Sequence, residues 1–233
     1  MMCTTLGAAE RRVSAVFAND GGYVIEPIAG EGSATALYRN GMRVGTVHTG
    51  KPKEISCVSS AAVATIEGTT PEEGEVLLAT NFEVAVRATR DRELTTDEAR
   101  SLLRYARVFL RNHGAKATEE LDVNARVMDV GDELLIVGSW STPDAACEGS
   151  LFLIARVDDV SAEKVTPQVA RFRDRADCTD AAYIEPLDHI DIDGDRFDEV
   201  ISRDHAKEGY DYLVWFRGEG GKWTVTRRAG SGC

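Results

Sequence analysis

The sequence predicts an α+β protein, mainly antiparallel β-sheet with one long amphipathic helix. Two observations predict it. Short β-prone runs separated by tight-turn dipeptides fill most of the chain, and one stretch near the middle carries a helical period bounded by capping signals.

The first third reads as strands. ATALYRNGMRVGTVHT, residues 34–49, sets Asn40-Gly41 between two β-prone runs. Both residues tolerate positive φ, which the two-residue hairpin turn requires. SAVFA and GYVIEP, separated by Asn19-Asp20-Gly21, suggest a second hairpin, and AAVATIE and EVLLAT flank the turn-rich GTTPEEG. Links this short imply antiparallel neighbours. AGEGSAT around Gly30 lacks the spacing of a nucleotide-binding loop and is read as a plain loop.

The helix is marked at both ends. Thr95 followed three residues later by Glu98 makes a capping box, and Gly114 stands where a left-handed residue stops a helix. Between them Ala99, Leu102, Leu103, Ala106, Phe109 and Leu110 recur at three- and four-residue intervals, a face expected to pack on a sheet. Arg100, Arg104, Arg107 and Arg111 follow helical spacing too. They form either a solvated face pairing with nearby acids or a docking strip for an anion or acidic partner. His113 sits where a cation favours the helix C-terminus.

Strands follow: LDVNARVM, ELLIVGSW, SLFLIARV, then a charged connector over 158–180, then EVIS, YDYLVWF and KWTVTR. The glycine-rich RGEGGK joins the last two as a hairpin. Trp215, Phe216 and Trp223 suit a carbohydrate- or peptide-binding surface, but aromatics in strands more often pack, and core is the expectation. The chain divides into a β-rich region over 1–92 and a helix plus β-rich region over 93–233, which together can form one continuous domain.

Composition sets bounds. With 233 residues, 43% hydrophobic, the chain can bury one large core or two small ones. A net charge of −12 argues against general nucleic-acid or anionic-membrane binding, which needs clustered cations. No apolar run approaches the ~20 residues of a spanning helix, and the opening MMCTTLGAAERR has neither the basic nor the apolar part of a signal peptide.

The five cysteines form no CxxC pair and no zinc spacing. Scattered in this way they favour disulfides: Cys178 with Cys233 to tie down the tail, and Cys57 with Cys147, although four cysteines allow other pairings. Five free thiols in a cytosolic protein is the alternative. Cys3, the odd one, suits a lipid-anchored mature terminus. The expected location is extracellular or periplasmic.

Catalytic patterns are thin. GxSxG, HExxH and P-loop motifs are absent, and Ser161-Ala-Glu-Lys164 matches SxxK without its companion motifs. Chemistry concentrates instead in HIDIDGDRFDEV, residues 189–200. Asp191, Asp193, Asp195, Asp198 and Glu199 surround Gly194, and residues 185–211 hold ten acids against Arg196, Arg203 and Lys207, −7 of the chain's −12. Carboxylates at alternate positions converge when the backbone coils, and hard oxygen ligands of this kind suit calcium. An EF-hand needs glycine and glutamate where this chain has Arg196 and Ser202.

DIDGDRFDEVI followed by YDYLVWF resembles a single FG-GAP or VCBS-type repeat, an aspartate-rich calcium loop running into a strand. The resemblance implies Asp191, Asp193, Asp195 and Glu199 as calcium ligands. It departs at Arg196, where the family has glycine, so an arginine forced to positive φ would carry a steric cost. VMDVGDELLIVGSW, residues 127–140, resembles a degenerate second copy whose shortened loop is not expected to hold calcium. Length and repeat number exclude a full propeller.

Two functions follow as expectations. The first is a secreted or periplasmic bacterial binding or structural module, with an unknown protein or carbohydrate partner and a calcium-stabilised loop. The second is a metal-dependent hydrolase that adds His189 or His205 to the same loop. Otherwise these two histidines are expected at the surface.

Overall fold

Fourteen strands and one helix of the computed structural model cover most of the described residues, which are 11–30, 33–55, 61–85, 88–115, 120–143, 149–174 and 182–232. All five cysteines, and with them the expected Cys178–Cys233 and Cys57–Cys147 bridges, lie outside the described residues.

The first six strands close a barrel: β1 (Val13–Asn19), β2 (Gly22–Ala29), β3 (Ala36–Arg39), β4 (Met42–Pro52), β5 (Ala62–Gly68) and β6 (Val76–Thr80), ordered β1-β2-β5-β4-β3-β6. Both expected hairpins form. Asp20-Gly21 joins β1 to β2 and Asn40-Gly41 joins β3 to β4, with φ of 49°, 74°, 50° and 67° in chain order, positive at both positions of each turn as their sequences require. The third link behaves differently: β5 pairs with β2 and β4, and β6 with β1 and β3, so GTTPEEG joins strands that are not neighbours.

Alternation along the strands serves two cores. Val16, Leu37, Leu77 and Ala79 point into the barrel, whereas Ala15, Tyr38, Val76 and Leu78 point outward onto Ile190, Ile201, Tyr212 and Val214. Burial on both faces explains why VLLA, residues 76–79, is apolar throughout. The outward core belongs equally to a sheet of β11 (Tyr183–Ile190), β12 (Glu199–Ala206), β13 (Gly209–Arg217) and β14 (Trp223–Gly232). Tyr210 and Tyr212 clamp the two layers by donating to Glu26 Oε2 at 2.6 and 2.9 Å.

That sheet is sandwiched. Its other face, with Val200, Leu213 and Trp215, packs on a second four-stranded sheet made of β7 (Asp122–Asp129), β8 (Leu134–Ser141), β9 (Ser150–Arg156) and β10 (Val169–Arg173). Trp215 stacks on Phe152 at 5.0 Å, donates to Ser202 Oγ and is 2% exposed, so the aromatic it contributes is core, as expected. Phe216 and Trp223 are half-buried against the same cores. β10 lies inside the expected charged connector. Its adjacent exposed residues, Ala170 and Arg171, break the alternation that marks a strand.

The helix α1 (Thr96–Asn112) lies on the far face of the second sheet, burying Leu102, Ala106 and Leu110 against Val127, Ile136 and Leu153. Thr95 and Glu98 form the reciprocal capping box, and Gly114 has φ 94°. The α+β class and the long helix are nevertheless corrected. The described residues are 54% strand and 11% helical, their α-helix is one short element of 17 residues, and the architecture is a closed barrel with two sheets. Capping signals fix where a helix starts and stops, but the share of the fold it occupies depends on how the strands assemble. Among the described residues no helix is long and apolar enough to cross a membrane.

Candidate functional site

The acidic loop joins β11 to β12, the first hairpin of the C-terminal sheet. Its backbone winds around its own carboxylates. Asp191 accepts from the N–H groups of Gly194 and Arg196, Asp193 from Asp195 and Asp195 from Phe197, each within 3.2 Å. Gly194, at φ 86°, supplies the reversal that a side chain would resist. The intervening Ile192 turns inward, 7% exposed, and joins Ile190 in the core shared with the barrel. One carboxylate oxygen from each of Asp191, Asp193 and Asp195 lies within 4.8 Å of the others.

Glu199, expected as a fourth ligand, is not among the carboxylates that converge within 4.8 Å. It is 2% exposed at the start of β12, and its Oε2 accepts from Ile192 N at 2.6 Å. Burial, reinforced by the charges of Asp193, Asp191 and Asp195, pushes its pKa up to about 8. The charge of the three clustered aspartates therefore reaches a fourth, buried carboxylate that resists ionisation.

Two arginines bear on the loop. Arg196 has φ 77°, so the residue standing where the resemblance has glycine does occupy the left-handed region. Arg11, absent from the sequence reading, donates to the carbonyl of Ile192 at 3.2 Å and lies 3.9 Å from Asp191 Oδ1. A Cβ on residue 194 would meet its guanidinium at 2.7 Å.

The fifth acid does something else. Asp198 Oδ2 lies 2.6 Å from His189 Nδ1, and Asp91 Oδ2 lies 3.0 Å from His189 Nε2. His189 is 1% exposed, not at the surface. Burial alone would lower its pKa, but the hydrogen bonds to Asp198 and Asp91 raise it to about 9, so it is a buried imidazolium. Asp91 ties this group to the second sheet by accepting from Asp129 N at 2.7 Å. The barrel closes over it: Asn40 N donates to Asp188 at 3.0 Å, and Arg126 donates to Asn40 Oδ1 and to the carbonyl of Leu187. Three layers thus meet at residues 188 and 189. Asp91 lies 98 positions away in sequence, and no local pattern announces it.

With both ring nitrogens bonded to carboxylates, His189 presents no lone pair to a metal. His205 sits six residues along β12 from Glu199, about 20 Å at strand rise, where its Nε2 meets Glu185 at 2.9 Å. Asp204 there pairs with Arg173 and Arg227. Neither histidine joins the aspartate cluster.

The loop after Asp129, expected as a shortened second copy, lies between the first and second strands of its own four-stranded sheet. Asp129, 2% exposed, is gripped by Arg90 through Nε and Nη2 at 2.9 Å each, and Nη2 also reaches the carbonyl of Gly131 at 3.1 Å. A guanidinium neutralises this shortened loop from within the chain. On the helix, Arg100 pairs with Asp97 at 3.0 Å and Arg104 donates to the carbonyl of Ala162, while Arg111 is exposed.

No family model matches the chain, and neither a curated protein nor a solved structure matches it.

Proposed function

We propose that the protein is a binding or structural module whose β11–β12 loop is ordered by calcium held by Asp191, Asp193, Asp195 and Glu199. The observation that carries this reading is the convergence of three aspartate oxygens within 4.8 Å, on a backbone already wound about them, in front of a buried glutamate. Oxygen-only donors of this number suit a hard cation that accepts irregular geometry. The two four-stranded sheets, each with an acidic sequence in its first hairpin, support the likeness to an FG-GAP or VCBS-type repeat.

The role of the ion in this reading is structural. Ile190 and Ile192 alternate with the ligand carboxylates and anchor the loop in the barrel–sheet core, so a cation that stiffens the loop stiffens that junction. Strain at Arg196 and the reluctance of Glu199 to ionise both weaken binding. They favour the range of about 0.1–1 mM typical of extracellular modules, in keeping with a secreted or periplasmic location.

A thermal melt of chelator-treated protein with and without millimolar calcium, repeated on Asp193→Ala, tests this. At about ten times the dissociation constant calcium adds about 1.4 kcal/mol, and the substitution removes that gain. An unchanged melt for the parent protein refutes the reading.

A further inference from the structure

β7 is an edge strand covered along only half its length. Arg92 exchanges both main-chain hydrogen bonds with Val127, at 3.2 and 2.9 Å, so the N–H and C=O of Val127 point away from β8. The β7–β8 register runs without a bulge. Strand alternation therefore turns the N–H and C=O of Val123 and Ala125 outward as well. No described residue bonds to them there, and Val123 is 51% exposed.

These open groups face a cleft of about 410 Å³ whose opposite wall is the outer edge of β11 together with the Arg39-Asn40 turn. The two edges are protected unequally. β11 carries Pro186 and a register break between Pro186 and Asp188, which spoil pairing, whereas 122–125 carries neither proline nor bulge. The cations on the walls are already used: Arg39 by Glu75 at 2.6 Å, and Arg126 by Asn40 and Leu187. Exposed Glu93 in the cleft, and exposed Asp122 one residue before the lining residue Val123, form no side-chain hydrogen bond or ion pair with any described residue, so the uncompensated charge is negative.

We propose that this cleft takes an extended peptide segment bearing lysine or arginine, which adds a fifth strand antiparallel to β7. Val123 and Ala125 supply four main-chain hydrogen bonds to it, and Asp122 and Glu93 pair with its basic side chains.

The test is fluorescence anisotropy of the full chain with a labelled short peptide alternating lysine and valine, beside a twin carrying glutamate for lysine. The lysine peptide binds and the glutamate peptide binds at least ~10-fold more weakly. Methylating the peptide's backbone nitrogens, which leaves its charge and the protein untouched, lowers affinity at least ~10-fold. Ala125→Pro, which removes an outward N–H and spares the β8 ladder, does the same. Equal binding of both peptides, binding indifferent to N-methylation, or no binding of the lysine peptide overturns the proposal.

Discussion

The imidazole of His189 and the carboxylate of Asp198 meet at 2.6 Å, each side chain 1% exposed, with Asp91 against the far ring nitrogen. A buried cation between two anions costs desolvation that only complete pairing offsets. Removing the cation leaves two carboxylates facing each other in the interior. His189→Phe therefore destabilises the protein by about 3–5 kcal/mol, read from the shift in a urea unfolding curve. A loss under ~1 kcal/mol would mean the junction is not held by this charge.

Arg196 holds φ 77° in the acidic loop. A non-glycine residue there costs about 1–2 kcal/mol relative to right-handed backbone, part of which glycine returns as chain entropy in the unfolded state. Arg196→Gly is expected to stabilise the ion-free protein by about 0.5–1 kcal/mol. Calorimetric titration of this variant should also show tighter calcium binding. A destabilised variant would show that the arginine side chain outweighs its backbone strain.

Asp129 is buried and its charge is answered by the bidentate Arg90. Arg90→Ala leaves that carboxylate without its guanidinium and is expected to lower the midpoint of urea unfolding. The double variant Arg90→Ala, Asp129→Asn should recover at least half of this, because the orphaned charge goes too. Additive losses in that cycle would contradict the assignment of Arg90 as the cation that answers Asp129.

Glu98 gives the acid limb of stability a named contributor. Arg92 donates to it through two nitrogens at 2.8 and 2.7 Å, and Thr95 N donates to it at 2.8 Å. The hydrogen bond to Arg92, foremost, holds its pKa down at about 2 from the usual 4.5. A folded-state pKa below the unfolded one stabilises the fold fully above the unfolded value. That contribution fades as pH falls through the interval down to the folded value. Glu98→Gln is expected to cost about 1–2 kcal/mol at neutral pH. The gap between parent and variant should narrow as pH is taken from 4.5 toward 2. A gap independent of pH would assign the effect to shape and not to charge.

The sequence by itself determined the elements whose causes are local. Positive φ at Asp20, Gly21, Asn40 and Gly41 follows from residue type, and so do both early hairpins. Thr95, Glu98 and Gly114 fixed the limits of α1, and the alternation of acid and isoleucine in 190–193 fixed a loop with carboxylates outward and an anchor inward. Tertiary structure decided what depends on distant partners. Which strand neighbours β6 is settled by closure of the barrel, not by the length of the link before it, and α1 became a minor covering element because fourteen strands found partners among themselves. His189 was converted from a loop-flanking residue to a buried cation by Asp91, and the two acidic loops met Arg11 and Arg90 from segments that no spacing connects to them. Hydrogen bonds and charges act over a few ångströms whatever the separation along the chain, so their pairing is fixed only when the layers pack.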